Sequence, residues 1–219
     1  MPDFAALTQK KNELIRKALD GAFYLAPIGS DPITDLTGPD GQLKQLPQGY
    51  RELGWLSTDG MQFGRDVSTS DVQSFGSTTP TRSDTNADTT TVTVVAQETN
   101  LLTIEMSTGA DLMNLVPKVG GGVKIAKPTR PKAKFYRGLA LAVDDGDGGE
   151  IYIARELPRI KATSYAEQAF AGGDDPITWG ITFTGQKDSA LGYAEAYHFG
   201  GPGWNALLSA MDFKPAATA

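Results

Sequence analysis

The residues able to do chemistry are few and scattered. His198 is the single histidine, and cysteine is absent. A serine triad would need a Gly-x-Ser-x-Gly elbow to present its nucleophile, and the chain has none. His198 is therefore read as a strand residue near a surface. Asp144, Asp145, Asp147 and Glu150 crowd around three glycines. Calcium needs six to eight oxygens from a loop of defined spacing, which this cluster lacks, so it reads as a solvated hairpin tip. Gly120-Gly121-Gly122-Val123-Lys124 lacks the Gly-Lys-Ser/Thr ending of a phosphate loop. Without cysteine or clustered histidine, no transition-metal centre is expected, and no catalytic, cofactor or metal residue is assigned. Paired carboxylates for glycoside hydrolysis stay open, because their separation cannot be read from sequence. Trp55, Trp179 and Trp204 could form a sugar platform, but core or contact anchors are the commoner use of tryptophan.

The elements that would position these residues are mostly strands. The chain has 219 residues, 40% hydrophobic, enough for one domain with a core of its own. Helical spacing of Phe4, Leu7, Leu14, Ile15, Ala18 and Leu19 before Gly21 predicts a helix over most of 5–19. A short strand is expected at 22–26 and a loop-rich stretch at 28–49. Thr58-Asp59-Gly60 reads as a hairpin turn between 50–57 and 61–67, with Met61, Phe63 and Arg65 on one face. The β-branched run 89–96 is a strand, and 98–107 fits a helix ended by Gly109. Residues 117–131 read as an extended connection. Strands at 134–143 and 150–157 pair across the acidic turn, and 160–165 continues the second. Strands at 177–186 and 193–199 and a helix near 204–211 follow, and 212–219 is expected to be a flexible tail. The fold class is mainly β, a sandwich or barrel-like core with two or three short flanking helices.

Residues 68–90 break this pattern. They are dense in Ser, Thr, Asp and Asn, with only Val72, Phe75 and Ala87 as apolar members. The composition predicts a long polar stretch that cannot bury itself, either a disordered loop or an excursion ordered by a partner.

Charge is also uneven. From Asp66 to Leu115 the acids are Asp66, Asp71, Asp84, Asp88, Glu98, Glu105 and Asp111, and Arg82 is the only base. From Val116 to Arg137 come Lys118, Lys124, Lys127, Arg130, Lys132, Lys134 and Arg137, with no acid. These are either two solvated faces or complementary patches on neighbouring copies. The net charge of −6 disfavours a nucleic-acid grip. The N-terminus lacks the apolar core of a signal peptide, and no run reaches the length of a membrane span. A soluble protein, not secreted by a signal and with no membrane partner, is expected.

An ordered set of segments carries a resemblance: ELIRKALDGAFYLA at 13–26, GYRELGWLSTDGMQFGRDVSTSDVQSFGSTTPT at 49–81, VVAQET at 94–99, LPR at 157–159, DDPIT at 174–178 and FGGPGW at 199–204. Together they resemble the major tail tube proteins of long-tailed phages that infect actinobacteria. The resemblance implies a β-sandwich with a flanking helix. It implies rings of six copies around an inner β-barrel, with the rings stacked through a long loop between two early strands and through terminal arms. Tail tip, tape measure and terminator proteins would be the partners, and DNA would cross the lumen without specific binding. The whole chain, 1–219, is then one tail tube domain, with 1–21 as its N-terminal helix or arm and 68–90 as the stacking loop. It ends too soon after Met211 for an appended immunoglobulin-like domain. Expected inter-ring contacts are Asp71, Val72, Phe75, Arg82, Asp84 and Asp88. The expected inter-subunit basic patch is Lys118, Lys124, Lys127, Arg130 and Lys132. The alternative is a carbohydrate- or receptor-binding β-sandwich using the tryptophans.

Overall fold

The computed structural model describes residues 4–112, 114–130, 134–146 and 148–214. Eight strands are present among them, all paired antiparallel: β1 (Asp20–Pro27), β2 (Arg51–Glu52), β3 (Leu56–Val72), β4 (Arg82–Ala96), β5 (Tyr136–Gly146), β6 (Gly149–Tyr165), β7 (Trp179–Gly185) and β8 (Ala196–Gly200). The order is β2-β1-β5-β6-β7-β4-β3, with β8 also on β6. Helices α1 (Phe4–Leu7), α2 (Leu101–Thr108) and α3 (Pro202–Leu207) flank the sheet.

Strand β6 makes the sandwich. Its first half, Tyr152–Glu156, lies between β5 and β8, and its second half, Ile160–Tyr165, pairs with β7. Between them sits Pro158, which has no N–H to donate to a ladder. The β5 register slips opposite it, between Tyr136 and Gly138. Gly138 leaves room there for Ile160, whose Cδ1 would lie 2.6 Å from a Cβ and would have to move aside. The bend folds the sheet over, so that Phe23 of β1 meets Phe183 of β7 with ring centroids 5.6 Å apart. Val92, Val94, Leu157, Ile160 and Ile181 fill the space between the layers, with Met61 and Phe63 packed at its margin. Each such burial contributes about 1.5–3 kcal/mol.

A second apolar cluster lies on the other face of β5 and β6. Leu139, Leu141, Tyr152 and Ala154 are covered there by Ile33 and Leu36 from the loop-rich stretch after β1. The alternation of β5 supplies both clusters, Ala140 facing one and Leu139 and Leu141 the other. Helix α2 forms where its capping signals place it. The Asn100 side chain accepts from the N–H groups of Leu102 and Thr103, and Gly109 closes the helix at φ 65°.

Three expectations are corrected. The helix over 5–19 is reduced to α1 and a 3₁₀ turn at Asn12–Leu14. Phe4, Leu7, Ile15 and Leu19 stay exposed, so among the described residues burial does not reward the apolar stripe, and a helix of this length needs such packing. The backbone runs extended instead, with Leu19 N–H donating to Val143 O at 2.9 Å. Asp59-Gly60 is not a hairpin turn. Residues 56–72 form one strand, and the pair takes up a bulge between Leu56 and Met61, with Gly60 at φ 64°. The polar stretch 68–90 is not a loop but the outer part of a β3–β4 hairpin. Polarity forbids burial, not strand pairing, and Thr and Ser tolerate a ladder well. Of the expected tail, 215–219 lie outside the described residues. Phe213 before them is held, its N–H bonded to Leu208 O and its ring edge-on to Trp204.

Candidate assembly surface

The hairpin leaves the body at a definite point. Strand β7 pairs with β4 only over Thr91–Ala96. From Asp66↔Thr89 outward to Val72↔Arg82 the two strands have only each other. At 3.2–3.4 Å per residue the paired part extends about 20 Å, with residues 73–81 as its tip. We call this the arm. A lone hairpin is marginal in water, and side-chain pairs reinforce this one. Arg65 donates to both oxygens of Asp88 at 2.8 and 2.5 Å, diagonally across the strands. Within β4, Arg82 donates to both oxygens of Asp84 two residues along, at 2.7 and 3.0 Å, a pair that does not cross the strands. Ser74 and Thr81 join hydroxyls at 2.7 Å below the tip. The Arg65 hydrogen bond holds the Asp88 carboxyl below its ordinary range. A bulge at Ser68/Thr69, with Asn86 as the extra residue opposite, adds twist. At the tip, Phe75 stands fully exposed in a turn with Gly76 at φ 84°.

All six residues expected at inter-ring contacts, Asp71, Val72, Phe75, Arg82, Asp84 and Asp88, lie on this arm and are exposed. The basic set behaves differently. Lys118, Lys124, Lys127 and Arg130 are exposed along the connection after α2, while Lys132 lies outside the described residues. Two other bases of that block are used within the chain. Lys134 pairs with Glu105, which Arg51 also approaches at 3.7 Å. Arg137 is buried, donating to Ser30 O at 2.7 Å and pairing with Asp188 at 3.6 Å. Among the described residues no ion pair joins the arm's acids to the basic segment of the same chain.

Other residues fasten the arm to the body and were invisible in the sequence. Arg155 of β6 stacks on Phe63 of β3 and on Tyr197 of β8, 3.6 and 4.8 Å from their centroids. It also pairs with Glu195, which accepts from Thr90 Oγ1 at 2.9 Å. The strand alternation placed Phe63 on one face with Met61 and Arg65, but nothing local announced a partner some ninety residues away. His198, on β8, is largely enclosed, its Nε2 3.3 Å from Glu156. Glu156 is fully buried and also accepts from Ile33 N–H and Tyr193 Oη, each at 3.2 Å. Burial first, and this carboxylate second, push the Tyr50 phenol up to about 12. Asp144, expected at a solvated tip, is mostly buried under the N-terminal segment, where it takes Arg16 at 3.3 Å and Lys17 N–H at 3.2 Å. Trp204 stacks on Phe199 at 4.7 Å and Trp179 donates to Thr99 at 3.1 Å. Trp55 is the one strongly exposed tryptophan, at 75%.

With a polar arm projecting from a β-sandwich, the sequence matches the phage tail tube protein family over residues 8–195. The chain belongs to that family. Comparison with curated proteins finds none that matches. A tail tube protein is a structural component of the phage tail, and the virion tail is where this subunit resides. No helix among the described residues is long and apolar enough to cross a membrane.

Proposed function

We propose that this tail tube protein self-assembles into rings of six copies that stack into the conduit for viral DNA, and that it catalyses no reaction. The arm carries this reading. A two-stranded extension with both faces in water and a bare phenylalanine at its tip does nothing for the stability of its own chain, and it gains a role when a neighbouring ring covers Phe75 and Val72. Two further features fit. Strand β3 ends the sheet order, so its outer edge is open to pairing, and ring closure is one way to remove such an edge. The net charge of −6 suits a lumen that DNA crosses without sticking. Assembly would take place in the host cytoplasm, with tail tip, tape measure and terminator proteins setting where the tube starts and stops.

The test is electron microscopy of isolated tails alongside the purified subunit, intact and with residues 69–86 replaced by Asn-Gly, which joins Ser68 to Ala87 by a two-residue turn. The intact protein should give six-fold cross-sections in tails, and the armless protein should stay folded and fail to enter tubes. Normal tubes from the armless subunit, or tails without six-fold symmetry, would overturn the reading.

A further inference from the structure

The connection after α2 is not a featureless linker. Lys118 N–H donates to Gly122 O at 2.9 Å and Gly121 N–H to Lys118 O at 2.8 Å, closing a tight turn. Gly120 and Gly121 hold φ at 93° and 82°, a region that glycine enters without a Cβ penalty. The turn presents Val119 fully exposed, with Val116 and Val123 exposed on either side and Lys118 and Lys124 flanking. It is a formed knob, apolar at its tip and basic at its base, with no acid between Val116 and Arg137.

On the body, a groove of about 380 Å³ opens beside β1 and β2. Leu43, Trp55 and Leu56 give it an apolar wall, and Asp20, Glu52 and Glu98 line it with carboxylates. Among the described residues, Asp20 and Glu98 accept only backbone N–H groups, from Gly21 at 2.7 Å and Trp55 at 2.9 Å. None of the three has a cationic partner among the described residues.

We infer that the Lys118–Gly122 knob of one copy seats in the Trp55 groove of a neighbouring copy, with Val119 against the apolar wall and Lys118 and Lys124 facing Glu52, Glu98 and Asp20. The inference rests on the tube reading, since a closed ring or a stack brings two different patches of one chain together head to tail. Charge selects the occupant. The arm cannot be the guest, because Arg65 and Arg82 already hold Asp88 and Asp84 and its remaining charges, Asp66 and Asp71, are acidic. Charge also selects the host. Within the acidic block, Asp84 and Asp88 are held by Arg82 and Arg65 and Glu105 is buried with Lys134 and Arg51, whereas Glu98 joins Asp20 and Glu52 beside the apolar wall of a groove, a combination that Asp66 and Asp71 on the extended arm do not have.

The cysteine-free chain allows a direct test by disulfide cross-linking of full-length chains. Val119→Cys in a tagged chain is mixed with Trp55→Cys or, separately, Leu43→Cys in an untagged chain, under conditions where electron microscopy follows tube formation. Phe75→Cys serves as the control. Tagged–untagged dimers should form with either groove variant, several-fold above the control. Adding Lys118→Glu to the knob chain should lower the yield several-fold at low salt, and Glu52→Lys in the groove chain should restore it. Absence of cross-links to both groove positions overturns the inference, and so does a yield that Lys118→Glu leaves unchanged. Tubes without the cross-link would refute the groove contact alone. The cross-link without tubes would keep the contact and refute the tube.

Discussion

Strands β3 and β4 each change character along their length, and the two halves of this hairpin differ in what they are for. In the inner half, from Thr89 to Ala96, residues alternate between buried and half-buried, with Val92, Val94 and Ala96 in the core. In the outer half, from Arg82 to Asp88, every residue is exposed. The ladder runs through both, interrupted only by its bulges. Pairing and burial are thus separate properties of a strand. The inner half holds the fold together, and the outer half is free to hold something else.

The largest effect expected from this contrast is on the inner side. Phe183→Ala removes a fully buried ring that meets Phe23, and it should cost about 3–5 kcal/mol in denaturant unfolding. Phe75→Ala at the arm tip should leave the unfolding midpoint unchanged and abolish or slow tube formation. If both variants lower stability alike, the arm belongs to the core. Glu156→Ala comes next. It leaves Ile33 N–H, Tyr193 Oη and His198 without their buried acceptor, a loss of about 1–3 kcal/mol, whereas Arg82→Ala on the arm should be silent in the same unfolding curve. The smallest effect is on pH. The Asp88 carboxyl is held low by Arg65, so its folded value lies below its unfolded one. Its contribution is complete above the ordinary aspartate value of about 3.9 and fades as pH falls through the lowered value. The amide signals of Arg65 and Asp88, followed by NMR, should therefore shift only at a pH below the ordinary aspartate value. A shift centred on the ordinary value would show that the Arg65–Asp88 pair does not hold the arm.

The sequence made some of this legible and hid the rest for identifiable reasons. The β5–β6 hairpin could be read because two apolar runs flank an acidic, glycine-rich turn. Helix α2 could be read over 98–107 because apolar residues recur at helical spacing before Gly109, while its start at Leu101, set by the Asn100 cap, was not read. The N-terminal stripe misled, because helical spacing says nothing about whether a surface exists to receive it. Asp59-Gly60 misled because the same dipeptide serves a two-residue turn and a bulge, and only the partner strand decides. Of the candidate assembly surface, the arm residues were legible as a compositional anomaly. The groove was not, since Asp20, Glu52 and Glu98 are brought together by sheet topology alone.

The shared strand β6 has one more consequence. Because a single backbone supplies hydrogen bonds to β5 and β8 in one layer and to β7 in the other, neither layer can open and leave the other intact. Loss of structure should therefore be all-or-none for the body, with no half-opened species exposing one sheet. Amide deuterium exchange is the observable. The N–H groups of Ile153, Ala154 and Ile160 should exchange last and at one common rate, set by global opening, while those of Ser68 to Val72 exchange early and independently. In the free subunit, the region proposed to meet other copies would then be the one whose fluctuations cost the body nothing.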